Sequence, residues 1–231
     1  MIDMDATATS QTATAIPVVV PVEPAADADS RLANLHAQVN APWPPTEPVL
    51  CPFTILRDSR EQAPWFFQGL RCDSDQDYRP LMVPTDWHSL GDGMGDYTIA
   101  GAEHCDPDIK WQVSIERKSL PDLFGTILSG RDRFERELSN LDRMDFAAVA
   151  IEADWPQIAT YAPSHWDRNG ITIADQARRR KTIIRSILAW QIRFPGVHWA
   201  LLPTRRAAEV WTFRLLQQFW RQHLKPEERH G

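Results

Sequence analysis

The stretch Val113-Ser114-Ile115-Glu116-Arg117-Lys118 places a carboxylate and an ammonium two residues apart in a β-branched, apolar-led segment. Side chains of a strand alternate between its faces, so Glu116 and Lys118 share one face while Ile115 and Arg117 share the other. Glu116 is suited to hold a divalent cation, and Lys118 to orient a water or steady a phosphate beside it. Asp96, in Gly95-Asp96-Tyr97 one strand and turn upstream, would supply a second carboxylate. Two oxygen ligands with a neighbouring cation are the least that metal-assisted phosphodiester hydrolysis needs. Each residue also has a plain reading. Asp is common in turns for local hydrogen bonding, and Glu116 could be a strand-edge charge paired with Lys118.

The order Arg57-Asp58-Ser59-Arg60-Glu61, then Gly95-Asp96-Tyr97, then Ile115-Glu116-Arg117-Lys118 with Asp122 resembles the nuclease domain of the XPF-type structure-specific endonucleases. These belong to the PD-(D/E)XK superfamily. The resemblance implies a restriction-endonuclease-like α/β fold, a central mixed β-sheet flanked by helices. It implies a Mg²⁺- or Mn²⁺-dependent DNA endonuclease acting in repair, recombination or replication on branched or flap DNA and on single-strand/double-strand junctions. It makes Asp96, Glu116 and Asp58 metal ligands, with Glu61 and Lys118 completing the catalytic set and Asp122 supporting it. The layout is similar to short stand-alone versions from bacteria and their phages. The helix-hairpin-helix module of longer relatives does not follow the final helix, so a partner, as homodimer or heterodimer, would have to supply branch selectivity. Two other readings stay open: a non-catalytic DNA-binding subunit, and a junction-resolvase-like or restriction-like nuclease of the same superfamily.

For DNA contact the candidates are Arg60, Arg117, Arg131, Arg179, Arg180 and Lys181, the last three in the one concentrated basic run. Such residues would grip phosphates and position the duplex without reading its sequence. The competing roles are structural. Arg60 could pair with its neighbouring acids, and Arg117 with an acid such as Asp122. Arg131, Arg133, Glu135, Arg136 and Glu137 read as a salt-bridge-laced helix face. Ser119-x-x-Asp122 has the spacing of a helix capping box, which by itself explains Asp122.

Elements that would position these groups follow from periodicity. A short strand at 53–56 leads into Asp58, and Met82-Val-Pro-Thr and Tyr97–Ala100 bracket a Gly-rich turn. The motif strand spans 111–118, and Ser119 caps a helix that is followed by another over 131–143. A buried strand at 146–152, a long helix at 174–194, a strand at 197–202 and a last helix at 204–224 complete an alternating α/β pattern. The long helix is expected to bury Ile183, Ile184, Ile187, Leu188 and Trp190. Residues 1–50 read as an acidic, Pro- and Ala-rich disordered tail with a short helix or docking peptide at 31–39. Residues 51–224 then form the nuclease domain and 225–231 a C-terminal tail.

The net charge of −6 is concentrated in that tail, where six acids face a single Arg, leaving the remainder near neutral. DNA is therefore not excluded, although no broad basic field advertises it. Three cysteines without ligand spacing, an acidic N-terminus and no apolar run of membrane length point to a reduced, cytoplasmic protein. Cys72 and Cys105 are the pair that could form under oxidation. The acidic loop 103–110 is a candidate lid.

Overall fold

The computed structural model describes residues 47–72, 78–91, 93–103 and 111–225. The tail to 46, Cys105 and residues 104–110 of the candidate lid lie outside the described residues, as do 226–231.

The main sheet is built from β2 (Ile55–Asp58), β5 (Thr85–His88), β6 (Tyr97–Ile99), β7 (Val113–Lys118), β8 (Phe146–Ile151) and β9 (Val197–Leu201), in the order β5-β2-β6-β7-β8-β9. Strand β6 runs antiparallel to both β2 and β7, whereas β7, β8 and β9 are mutually parallel. A small second sheet joins β1 (Val49–Leu50), β3 (Leu70–Arg71) and β4 (Pro80–Met82). Strand β1 pairs Val49 with Leu81 and Leu50 with Met82, so ordered structure reaches two residues into the stretch expected to be tail. Paired backbone, not composition, decides that boundary: the ladder continues as Cys51 N–H donates to the Met82 carbonyl.

Helices α1 (Leu120–Ser129), α2 (Arg131–Leu141), the short α3 (Trp155–Thr160) and α4 (Ser164–Arg168), and the long α5 (Ile173–Arg193) cover one face of the sheet. Helix α6 (Arg205–Phe219), followed by a π turn at Trp220–Leu224, covers the other. This is the mixed α/β architecture expected of a PD-(D/E)XK fold. The period of two is visible in β8, where Ala147, Val149 and Ile151 enter the core under α1, α2 and α5. Ala148 and Ala150 of the same strand face α6. Strand β7 divides in the same way: Val113 and Ile115 pack toward α6, which sends Ser114, Glu116 and Lys118 to the helical face. Helix α5 buries Ile183, Ile187 and Trp190, but Leu188 is about half exposed, so the apolar stripe is narrower than expected. Among the described residues no helix is long and apolar enough to cross a membrane.

Candidate active site

Strand β7 ends where helix α1 begins, and this junction sets the site. Ser119 caps α1 by accepting from the Asp122 amide at 3.3 Å, half of the expected capping box. The Asp122 carboxylate instead turns to the Lys118 ammonium at 3.5 Å. Lys118 Nζ donates to Glu116 Oε1 at 2.5 Å and lies 4.9 Å from the centre of the Phe134 ring on α2. The expected shared face of Glu116 and Lys118 is therefore present, and both side chains are buried.

Asp96 joins them through the backbone. Its amide donates to the Ile115 carbonyl at 2.9 Å, and its Oδ2 accepts from the Arg117 amide at 2.7 Å. The carboxylate thus substitutes for a ladder partner where the pairing of β6 with β7 runs out. Gly95 makes this possible. Its φ of +78° lies in the left-handed region, and a Cβ there would strike Ser114 Oγ and the Ile115 carbonyl. Gly95→Ala is expected to cost at least about 1 kcal/mol of stability and to displace Asp96. Urea unfolding of the variant measures the first effect, and loss of cutting by the folded protein the second.

Asp96, Glu116, Lys118 and Asp122 line a cleft of about 470 Å³, together with Asp58, Glu61, Arg133 and Glu137. Burial raises the Asp96 carboxyl well above the usual range, and the charge of Glu116 adds to the effect. Burial likewise raises the Glu116 carboxyl, against the pull of Lys118. For Lys118, burial works to lower the ammonium, but Glu116 and Asp122 more than offset it and the result is upward. Acidic charge is thus held together at an energetic cost that a bound cation would relieve.

Among the described residues no three His, Cys, Asp or Glu side chains converge as a ready-made metal cage. Asp96 Oδ1 and Glu116 Oε2 nevertheless accept no hydrogen bond there, so each carboxylate keeps an oxygen for a ligand. Two carboxylates with waters completing the shell suit Mg²⁺ better than a dedicated all-protein cage. Asp58, also expected as a ligand, lies at the cleft with both oxygens engaged. Oδ1 accepts from the Arg60 amide and Nε, each at 2.8 Å, and Oδ2 from Arg60 Nη2 at 3.0 Å and the Leu90 amide at 3.2 Å. Burial opposes its ionisation, yet these Arg60 and backbone bonds hold its carboxyl below the ordinary value. It anchors two loops beside the cleft.

Arg117 is turned away from Glu116 and Lys118, as alternation requires, yet it still borders the cleft, and its partner is not Asp122. Its Nε and Nη2 grip Glu152 at 2.8 and 3.0 Å, and Nη1 reaches Glu61 at 3.1 Å. Glu152 also accepts from Trp65 Nε1 at 2.9 Å and from Arg205 at 3.0 Å. With Arg117 and Glu152 each only 9% exposed, this is a buried ion network at the wall of the cleft, the ion-pair alternative read for Arg117, with Glu152 and Glu61 as its acids. Arg131 takes the salt-bridged role that was one reading of its helix face. It donates to Ser186 Oγ at 2.7 Å, pairs with Glu135 and covers the Trp190 ring, which fastens α2 to α5 outside the cleft lining.

Arg179 lies over Trp166 and Arg180 donates to the Tyr161 carbonyl, while Lys181 is exposed; none of the three lines the cleft. Arg133 and Glu137 were read as part of a salt-bridge-laced helix face, and they do pair, i to i+4, at 2.8 Å. Their place in the cleft was not legible. The one signal available was that Phe134, Leu138 and Leu141 form the buried stripe of α2, which leaves 133 and 137 on its flank.

The model of the ERCC4 domain matches residues 83–213, more than half of the chain, and the span contains Asp96, Glu116, Arg117, Lys118 and Asp122. The chain belongs to the ERCC4 domain family. This agrees with the XPF-type nuclease domain expected from the motif, although Asp58, Arg60 and Glu61 precede the matched residues. Among solved structures, XPF from Aeropyrum pernix in complex with DNA is similar at 14% identity and a TM-score of 0.46, over 76% of this chain and 68% of that one. A second structure of XPF from Aeropyrum pernix gives 14% identity and a TM-score of 0.44, over 73% of this ERCC4-domain chain and 66% of the other. No match is found among curated proteins.

Proposed function

We propose that this ERCC4-domain protein is a divalent-metal-dependent DNA endonuclease that hydrolyses phosphodiester bonds in the cleft at the end of β7. The observation that carries the reading is the convergence of Asp96, Glu116 and Lys118 on one cleft, with an oxygen of each carboxylate left open. Asp96 and Glu116 hold the ion, Mg²⁺ or Mn²⁺. When bound, such an ion supplies Lewis acidity and a water of lowered pKa.

Lys118, kept charged by Glu116 and Asp122, orients the attacking water and steadies charge developing on the phosphate. Phe134 limits the ammonium's freedom from the side of α2. Arg133, at the mouth of the cleft and 78% exposed, is placed to meet a phosphate of the entering strand.

Structure-selective cutting of flaps, forks or junctions, with a role in repair, recombination or replication, extends this reading and rests on the family. The test is cleavage of labelled flap, fork, four-way junction and blunt duplex DNA with Mg²⁺, with Mn²⁺ and with EDTA. Cutting that requires the metal and stops with EDTA is expected, with branched DNA favoured over blunt duplex. Cutting that persists in EDTA would refute the metal site. Tight DNA binding with no cutting in either metal would favour a non-catalytic subunit instead.

A further inference from the structure

Arg57 is an anomaly next to the cleft. It is 5% exposed, and its Nε and Nη1 are buried without a hydrogen-bond partner among the described residues. No ion pair of Arg57 is present there either. Burying guanidinium donors unpaired is costly, and an apolar side chain of similar size would fill the space without that penalty. What surrounds the group is aromatic: its Cζ lies 4.3 Å from the Trp87 ring centre and 5.2 Å from that of Phe66. Both rings are themselves open to solvent, Trp87 at 47% and Phe66 at 54%.

The exposure of Phe66 is built in. Phe67 beside it is fully buried and adopts a positive φ of 55°, rare for an aromatic residue. Glu209 on α6 accepts from the amides of both Phe66 and Phe67, at 3.2 and 2.6 Å, and so secures the strained loop that turns Phe66 outward. Trp87 is held by register, opposite Arg57 on the edge strand β5.

We propose that Arg57, Phe66 and Trp87 form a platform for one nucleotide of a single DNA strand, with the guanidinium toward its phosphate and the base stacked on an exposed ring; this rests on the nuclease reading above. An unpaired cation needs an anionic acceptor, and solvent-facing rings accept any planar base without regard to sequence. Continuity with the cleft selects DNA over an acidic peptide. Arg57 lies on the opposite face of β2 from Asp58, but the loop that presents Phe66 lines the cleft a few residues earlier with Glu61, Gln62 and Ala63 and so joins the two sides. A strand leaving the cleft past the β5 edge would meet the platform.

The test is fluorescence anisotropy in EDTA with labelled oligothymidine, a duplex carrying a single-stranded arm, and a blunt duplex. Arg57→Met and Trp87→Ala are each expected to weaken binding of the first two by about ten-fold and to leave the blunt duplex unchanged. Trp87→Phe should retain most of the affinity, and Arg57→Met should melt no lower than the parent. Because Phe66 and Trp87 are exposed, Phe66→Ala and Trp87→Ala still decide the matter if Arg57→Met does not fold. Unchanged single-strand binding by folded variants of a parent that binds and cuts DNA would overturn the platform alone, as would an equal loss on blunt duplex. A parent that neither binds nor cuts any DNA would overturn the nuclease reading, and the platform with it.

Discussion

Asp96→Asn is expected to lower metal-dependent cutting by about 10²-fold or more without lowering the melting temperature. The amide is isosteric, and its oxygen can still accept from the Arg117 backbone N–H, so the junction of β6 and β7 remains tied. What disappears is a buried acid, whose carboxyl is raised in the free protein by burial first and by the charge of Glu116 next. Removing it relieves repulsion, so stability should be unchanged or higher, as when a site holds like charges for function and at the expense of the fold. Cleavage rates and thermal melts of the same preparation check both halves. Full activity, or a variant that unfolds, would each contradict the role given to Asp96.

Arg117→Ala is expected to act in the opposite sense, destabilising the protein by about 3–5 kcal/mol. The guanidinium is 9% exposed and makes two bonds to Glu152 and one to Glu61. Truncation leaves Glu152 buried with only Arg205 and Trp65, and Glu61 with the Ala63 amide in place of an ion pair. Because the Arg117 backbone amide also holds Asp96, loosening here should reach the cleft and reduce cutting secondarily. Urea unfolding gives the stability change. Assaying well below its melting temperature should recover part of the activity of Arg117→Ala, but none of that of Asp96→Asn. A variant as stable as the parent, yet weak in DNA binding, would return Arg117 to the DNA contact that its sequence also allowed.

The contrast between these neighbours marks how far sequence could be read. Glu116 and Lys118 were placed correctly because strand alternation is a local rule: two residues along β7 always return to the same face. Asp96 needed more, since nothing local ties it to a strand twenty residues later; the order of motifs supplied that. Alternation also turned Arg117 away from Glu116 and Lys118. It could not name Glu152, 35 positions on, or Glu61, 56 positions back, because those contacts exist only once β8 and the loop after β2 close around it.

Helix α2 shows the same division. The mixed charges read as a salt-bridge-laced face, and Arg133 does pair with Glu137, yet only packing decided that this pair borders the cleft while Arg131 is spent on Ser186 of α5. The platform at Arg57 had no sequence signal, since Phe66 and Trp87 meet it through a strained loop and a parallel edge strand.

The sequence alone determined the alternating α/β plan, the shared face of Glu116 and Lys118, and the motif order that places this chain in its family. These depend on backbone periodicity and short spacings, which any chain carrying them must obey. Tertiary structure decided which charges are spent on the fold and which remain open to a ligand. A side chain's role depends on what packs across from it, and burial there raises the cost of every charge left unpaired.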